Sequence, residues 1–398
     1  MQIKTAISAS AVALMLLAIT GLGTVEAEPG QMEMVAVDYE KNLPVTIYAG
    51  EEGTELEIAN GDAASIADMT NRVEMSNSLS SINDSTEIIM INEKAVSDKK
   101  SVADDITNLA SQGNAIIVVA DTPELFTMNE NKYRFTAFSE DCQVSCMGTA
   151  PDGGTVCHSI SGYPTEAEAI QQAYIWAAEI DSMETYAMDG GIGYNEYYTY
   201  NQMCDPYGKM SGITIISQIE DTNDDSNYFV VHYNHEGIVT SGDTKDNMTV
   251  RSELGSYLQG NQVIYDHAPR NEPGIQTVTF SYGLNFSASD GVSANFGVSW
   301  DHTYSECTIT DRSDVGAGIF EAFYDLEQTS VTADNNLIVE PGLLLRTDAP
   351  DGAYHAHDTY SVTFCNVVID NVWCNDFRSY SHVVDFTVYP DDGGIEVN

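Results

Sequence analysis

Polar and apolar residues alternate without a break through residues 276–305, QTVTFSYGLNFSASDGVSANFGVSWDHTYS. Val278, Phe280, Tyr282, Leu284, Phe286 and Ala288 interleave with Thr279, Ser281, Gly283, Asn285 and Ser287. After Ser289-Asp290-Gly291 the alternation resumes. Val292, Ala294, Phe296, Val298, Trp300, His302 and Tyr304 now interleave with Ser293, Asn295, Gly297, Ser299, Asp301 and Thr303. A period of two is that of a β-strand with one apolar and one polar face. Pairing Ala288 with Val292 leaves three residues between them, gives Gly291 the left-handed position of a bulged turn, and puts both apolar sets on one side. The pattern therefore predicts a long amphipathic hairpin. Phe280, Tyr282, Leu284, Phe286, Phe296, Val298 and Trp300 form the face that meets either a protein core or a membrane.

Before this hairpin the pattern is mixed. MEMVAVDY, PVTIYA and ELEIA within 31–60 read as short strands, and Asp62 as the cap of a helix reaching about Leu79, with Ile66, Met69, Val73 and Met75 at helical spacing. EIIMIN (87–92) and NAIIVVAD (114–121) are apolar runs of the kind buried on both faces. Between them Ser97 caps a helix carrying Val102, Ile106 and Leu109, with Gly113 past its end. Residues 132–138 and 155–161 add strands, and Thr165 with Glu168 forms a capping box for a helix through Ile180. Strand–helix–strand order of this kind implies a small α/β layer. From Tyr194 helix signals fade and strands recur at short spacing, as in a sandwich. The fold class is thus α+β: a small α/β layer domain, then an antiparallel, sandwich-like β-rich domain with the long hairpin. The expected divisions are 1–27, a signal peptide; 28–85, strands and a helix; 86–190, the α/β domain; and 191–398, the β-rich domain.

The first 27 residues carry one early charge, Lys4, an apolar run from Ala6 to Leu22, and Val25-Glu26-Ala27 before Glu28, the pattern of a cleaved secretory signal. Charge sharpens the picture. The chain has 15 Lys and Arg against 61 Asp and Glu, a net charge of -46. Self-repulsion of this size is relieved by salt, and an acidic, lysine-poor surface is the kind halophilic secreted proteins carry. Nucleic acid is excluded as a partner, since phosphates need a basic patch. Seven cysteines in an exported chain point to disulfides. Cys365 and Cys374 bracket NVVIDNVW and are placed to staple a hairpin, and Cys142, Cys146 and Cys157 are close enough for one local bridge.

Candidate chemistry is sparse. His355 and His357 form an HxH pair that faces one way in a strand; with Asp358 as an oxygen ligand they are the candidate site for a divalent cation. His232, His235 and Glu236 lack the helical order of a zinc protease, and DTNDDSN (221–227) lacks the glycine and glutamate of a calcium loop. No GxSxG surrounds a serine, no glycine-rich phosphate loop follows a strand, and Cys157-His158 point apart in a strand. No catalytic residue is assigned. Acceptors for N-glycosylation stand at Asn83, Asn247 and Asn285.

Each hairpin arm is long enough for a bilayer-crossing strand, and a single charge, Asp301, lies on its polar face. YGLNFSASDGVSANFGVSWDHTY followed by TDRSD resembles the leukocidin and haemolysin type of secreted β-pore-forming proteins over about 40 residues. That resemblance implies a stem that inserts in a membrane and closes with copies of itself, and it implies no site residue. The α/β stretch 87–181 has no counterpart in that family. On architectural grounds the same face serves as sandwich core. The function read from the sequence is then a non-enzymatic binding or structural role, extracellular or at the cell surface. Membrane-acting pore formation as a homo-oligomer is the second reading, and a secreted hydrolase with a dispersed active site the third. The charge generates its own test: the thermal unfolding midpoint should rise between low and molar salt, and a flat or falling midpoint would refute the halophilic reading.

Overall fold

The computed structural model describes residues 43–50, 54–82, 88–120, 123–129, 132–139, 141–183, 192–219, 226–239, 243–254, 261–270, 272–285, 297–326, 337–348, 352–369 and 373–390. The signal-peptide stretch, MEMVAVDY, the turn at Asp290-Gly291, Phe286, Phe296 and most of DTNDDSN lie outside them. The chain is α+β and β-rich, and it divides between Thr185 and Tyr186 into two compact units.

The first unit is a layered α/β sheet. Its strands are β1 (Val45–Tyr48), β2 (Val73–Ser76), β3 (Ile88–Asn92), β4 (Ala115–Val119), β5 (Phe135–Phe138), β6 (Val144–Thr149) and β7 (Thr155–Ser161). The order is β7-β6-β4-β3-β1-β2. β1 pairs in parallel with β2 and β3, and β3 with β4; β6 then runs antiparallel to β4 and to β7. Every residue of β3 and β4 is buried, which is why both read as unbroken apolar runs. Helices α1 (Thr54–Ser65), α2 (Lys99–Ser111), α3 (Glu124–Thr127) and α4 (Glu166–Glu179) accompany the sheet. The expected capping box opens α4: Thr165 Oγ1 accepts from Glu168 N at 3.2 Å, and Glu168 Oε2 accepts from Thr165 N at 3.3 Å. Its apolar stripe Ile170, Ala173, Tyr174 and Ala177 is buried, and Trp176 stacks on His158 of β7. Full burial of one such large side chain contributes about 1.5–3 kcal/mol.

Several expectations fail here for identifiable reasons. ELEIA is helix α1, not a strand. Positions 55, 58, 59, 62, 63 and 66 turn inward, a 3.6-residue stripe that outweighs the short alternation of Leu56 and Ile58. Asp62 therefore lies inside α1 rather than capping a following helix, and Val73–Ser76 is strand β2, held by parallel pairing with β1. The cap of α2 is Asp98, whose carboxylate accepts from Ser101 N at 3.1 Å, one residue after Ser97. Strand β6 is absent from the sequence reading. The local bridge among Cys142, Cys146 and Cys157 is also absent: all three thiols are unbridged, as are those of Cys204 and Cys307. Cys146 sits opposite His158 and Cys157 opposite Met147, so the register points these two thiols to opposite faces.

The second unit is a β-sandwich. Its strands are β8 (Ile192–Cys204), β9 (Gly208–Ile219), β10 (Asn227–Val239), β11 (Asp243–Leu254), β12 (Gln262–Ala268), β13 (Glu272–Asn285), β14 (Gly297–Asp311), β15 (Ile319–Leu326), β16 (Leu337–Val339), β17 (Gly342–Thr347), β18 (Tyr354–Ile369) and β19 (Trp373–Val388). One sheet runs β12-β17-β10-β9-β8, with β16 also on β10; the other runs β13-β14-β15-β11-β18-β19. Aromatic rings cross between the sheets: Tyr200 stacks on Tyr360, and His235 on Tyr360. The sheets close tightly around these rings. A Cβ on Gly212 would collide with the His235 and Tyr200 rings. At the far end of the β18–β19 ladder Cys374 stands opposite Val367, two residues along from Cys365, after a register shift in β19; the side chain of Cys374 lies outside the described residues.

Replacing Thr165 by Ala removes the α4 cap. The expected loss is about 1 kcal/mol, read as a lower urea midpoint with unchanged slope by circular dichroism. An unchanged midpoint would contradict the assigned cap.

Candidate functional site

The long hairpin is β13 and β14. Eight successive pairs run from Val278↔Tyr304 to Asn285↔Gly297 without a register break. Directly opposed residues of an antiparallel ladder share a face. Val278/Tyr304, Phe280/His302, Tyr282/Trp300 and Leu284/Val298 thus hold one side, and Thr279/Thr303, Ser281/Asp301, Gly283/Ser299 and Asn285/Gly297 the other. The register differs from the sequence expectation: Ala288 opposite Val292 extrapolates to Phe280 opposite Trp300, whereas Trp300 pairs with Tyr282. The slip is by two residues, an even number, so each residue keeps its face.

Position in the sheet matters as much as pattern. β13 lies at one end of the strand order. Among the described residues β14 pairs with β15 only from Cys307 to Asp311. Among the described residues the ladder from 278 to 304 therefore extends past β15 as a two-stranded ribbon. Its eight pairs alone cover about 27 Å at ~3.4 Å per residue. Asp301 is the one acidic residue among these sixteen positions, in a chain with 61.

A charged cluster that the sequence reading missed sits at the ribbon's base. His267 on β12 is buried, with its ring edge-on to Phe320 of β15. Its Nε2 lies 2.9 Å from Asp311 Oδ2 on β14 and 2.7 Å from Arg270 Nη1. Arg270 also donates through Nη2 to Asp266 Oδ1 at 2.8 Å. Burial raises the Asp311 carboxyl, but hydrogen bonds from Ser313 and His267 outweigh it and hold the group below its ordinary value. The i,i+4 pair Asp266/Arg270 is visible in DHAPR; the reach of His267 to a residue 44 positions away is not.

The sandwich interior holds unusual polar groups. His382 on β19 donates through Nδ1 to Gln202 Oε1 at 3.1 Å and accepts from the Tyr198 hydroxyl at Nε2, which sets its neutral tautomer. Burial lowers its pKa to about 3. Burial also pushes His235 well below its ordinary value. Asp358 on β18 is fully buried and accepts from the Tyr360 hydroxyl at 3.2 Å; burial raises it to about 7. Tyr360 in turn meets Thr214 Oγ1 at 3.0 Å.

The HxH reading needs correction in one respect. His355 and His357 do share the outer face of β18, where they meet Thr387 Oγ1 at 3.1 Å and Asp385 Oδ1 at 2.8 Å. Asp358 points into the sandwich, because an adjacent residue in a strand takes the opposite face, so it cannot join them. Among the described residues no group of three or more His, Cys, Asp or Glu is placed to hold a metal ion. His232 and His235 lie three apart on β10 and so take opposite faces. The side chains of Phe280, Tyr282, Leu284, Val298 and Trp300 lie outside the described ones; the backbone register alone sets their faces.

No protein-family description and no curated protein sequence matches the chain. Among solved structures, about half of it is similar to Clostridium perfringens delta-toxin, at 11% identity and TM-score 0.35 over 52% of this chain and 96% of that one. A second match is a pore forming protein, at 10% identity and TM-score 0.30 over 51% and 92%. A third is the Clostridium perfringens NetB toxin in its membrane-inserted form, at 9% identity and TM-score 0.28 over 50% and 98%. The likeness is partial and remote, and the functional reading below is argued from the ribbon.

Asp358 generates a pH test. Its folded pKa, about 7, lies above the ordinary 3.8, so its contribution to stability is full below about 4 and lost as pH rises through 7. His382 works in the opposite sense: its contribution is full above 6.5 and lost as pH falls through about 3. The difference between wild type and Asp358→Asn isolates the carboxyl. The variant should gain on the wild type by a few kcal/mol between pH 4 and 8, read by urea unfolding. A difference independent of pH would contradict the buried, protonated carboxyl.

Proposed function

We propose that this chain is an exported, membrane-acting protein that inserts the β13–β14 hairpin into a bilayer and closes a β-barrel with copies of itself. The observation that carries this reading is the ribbon: a register-locked ladder at a sheet end, running beyond β15, with one apolar and one nearly charge-free polar face. A transmembrane strand needs about 9–11 residues, and β13 and β14 have 14 and 15. In hydrocarbon every backbone N–H and C=O must be satisfied internally, so a hairpin can span only as part of a closed barrel. An apolar face toward lipid and a Thr/Ser/Gly/Asn face toward water match the wall of such a barrel. Export also favours oxidation of Cys365 with Cys374, a bridge that a non-reduced digest reads by mass spectrometry.

Purified mature protein should release dye from phosphatidylcholine vesicles and form detergent-resistant rings. Leu284→Lys and Val298→Lys, on the apolar side, each carry a penalty of about 2–4 kcal/mol at mid-bilayer and should abolish release with the soluble thermal midpoint unchanged. Ser299→Lys, on the polar side, should retain it. No leakage by wild type at any salt concentration would overturn the proposal, as would unfolding of the soluble protein by both apolar-side substitutions.

A further inference from the structure

Two groups compete for one nitrogen at the base of the ribbon. Nε2 of His267 lies within hydrogen-bond distance of a carboxylate, Asp311, and of a guanidinium, Arg270. A ring nitrogen either donates or accepts, a guanidinium only donates, and an ionised carboxylate only accepts. With Nε2 bare, Arg270 donates to it and Asp311 faces a lone pair. With Nε2 protonated, it donates to Asp311 and Arg270 meets an N–H. Charging the imidazole puts N–H groups on both ring nitrogens, which removes the first arrangement and sets two cations 2.7 Å apart.

The location gives this competition a mechanical meaning. Arg270 lies in the connection from β12 to β13, the strand that enters the ribbon, and β13 has register irregularities between Glu272 and Gln276 and between Gln276 and Val278. Asp311 lies on the part of β14 that remains paired to β15. The entry to β13 is thus the weakly paired side, and the base of β14 the anchored one. Among the described side chains, the charged groups facing His267 are Asp266 and Arg270 from its own segment and Asp311 from β14. β15 presents Phe320, and β17 places Leu343 opposite; neither titrates.

We propose that His267 is a proton-operated latch on the hairpin. Charging it commits Nε2 to Asp311 and breaks the Arg270 Nη1–Nε2 hydrogen bond, leaving Arg270 held by Asp266 and by a 3.8 Å ion pair to Asp311, and so loosens the β12–β13 connection while β14 stays anchored. This rests on the reading of the hairpin as the moving, membrane-inserting element.

The test compares the full mature chain at pH 7.5 and 5.5, which bracket the range where imidazole side chains charge. Hydrogen exchange, corrected for the intrinsic rate, is followed over residues 270–278. Protection should fall at least tenfold at pH 5.5 in wild type. His267→Gln, which can still donate and accept but cannot charge, should abolish the fall. Arg270→Gln should show low protection at both pH values. Unchanged protection in wild type, or an equal fall in His267→Gln, would overturn the latch. Should His267→Gln lose its native circular dichroism, the exposed Arg270→Gln carries the test alone, and a persistent tenfold pH response there overturns the proposal. Dye release from phosphatidylcholine vesicles is measured in parallel. Release with one pH profile in wild type and His267→Gln, beside unchanged exchange, keeps the hairpin reading and rejects the latch. A His267-dependent fall in protection with no release at either pH keeps the latch and rejects membrane insertion.

Discussion

The ladder between β13 and β14 is the constraint on which the functional reading depends. An antiparallel register fixes which residues share a face, and a slip by one residue exchanges the faces. Eight unbroken pairs hold Leu284 with Val298 and Ser281 with Asp301, so the two faces stay chemically distinct along the whole paired length. Because β14 meets β15 only from Cys307 to Asp311, no third strand is paired to the ribbon among the described residues. A two-stranded ribbon is marginal in water on its own.

The sandwich supplies the platform. Its interior is not a simple hydrocarbon core: Tyr200, Tyr360, His235 and His382 stack across the two sheets, and Asp358 sits among them at zero exposure. Burial keeps the histidines neutral and raises the Asp358 carboxyl to about 7, so that it titrates around neutrality. Groups of this kind stabilise only when their hydrogen bonds are made, so they tie the sheets to a specific relative register and make the core sensitive to pH in two opposing directions. The charged cluster at His267 belongs to the same unit but serves its rim, where a strand enters the ribbon.

Much of this was legible in the sequence because period-two alternation is unambiguous over long runs. The hairpin's faces followed from Val278 to Tyr304 directly, and the capping box at Thr165 and Glu168 needed only four residues. The register did not follow, since two pairings that differ by two residues bury the same face and the pattern cannot choose between them. ELEIA failed because five residues fit a strand and a helix alike, and only the inward stripe of α1 decides. The HxH motif placed His355 and His357 together, while Asp358 obeyed the same period and faced away. His267, Arg270 and Asp311 escaped notice because their convergence is tertiary, across strands β12 and β14.

The most direct measurement places an environment-sensitive fluorophore on single engineered cysteines at each position from 278 to 285 and follows emission on adding vesicles. Insertion as a barrel wall requires a period of two. Positions 278, 280, 282 and 284 should shift to the blue on contact with lipid, and positions 279, 281, 283 and 285 should remain water-exposed. Emission that ignores the vesicles, or that changes uniformly along the strand, would contradict an inserting β-hairpin.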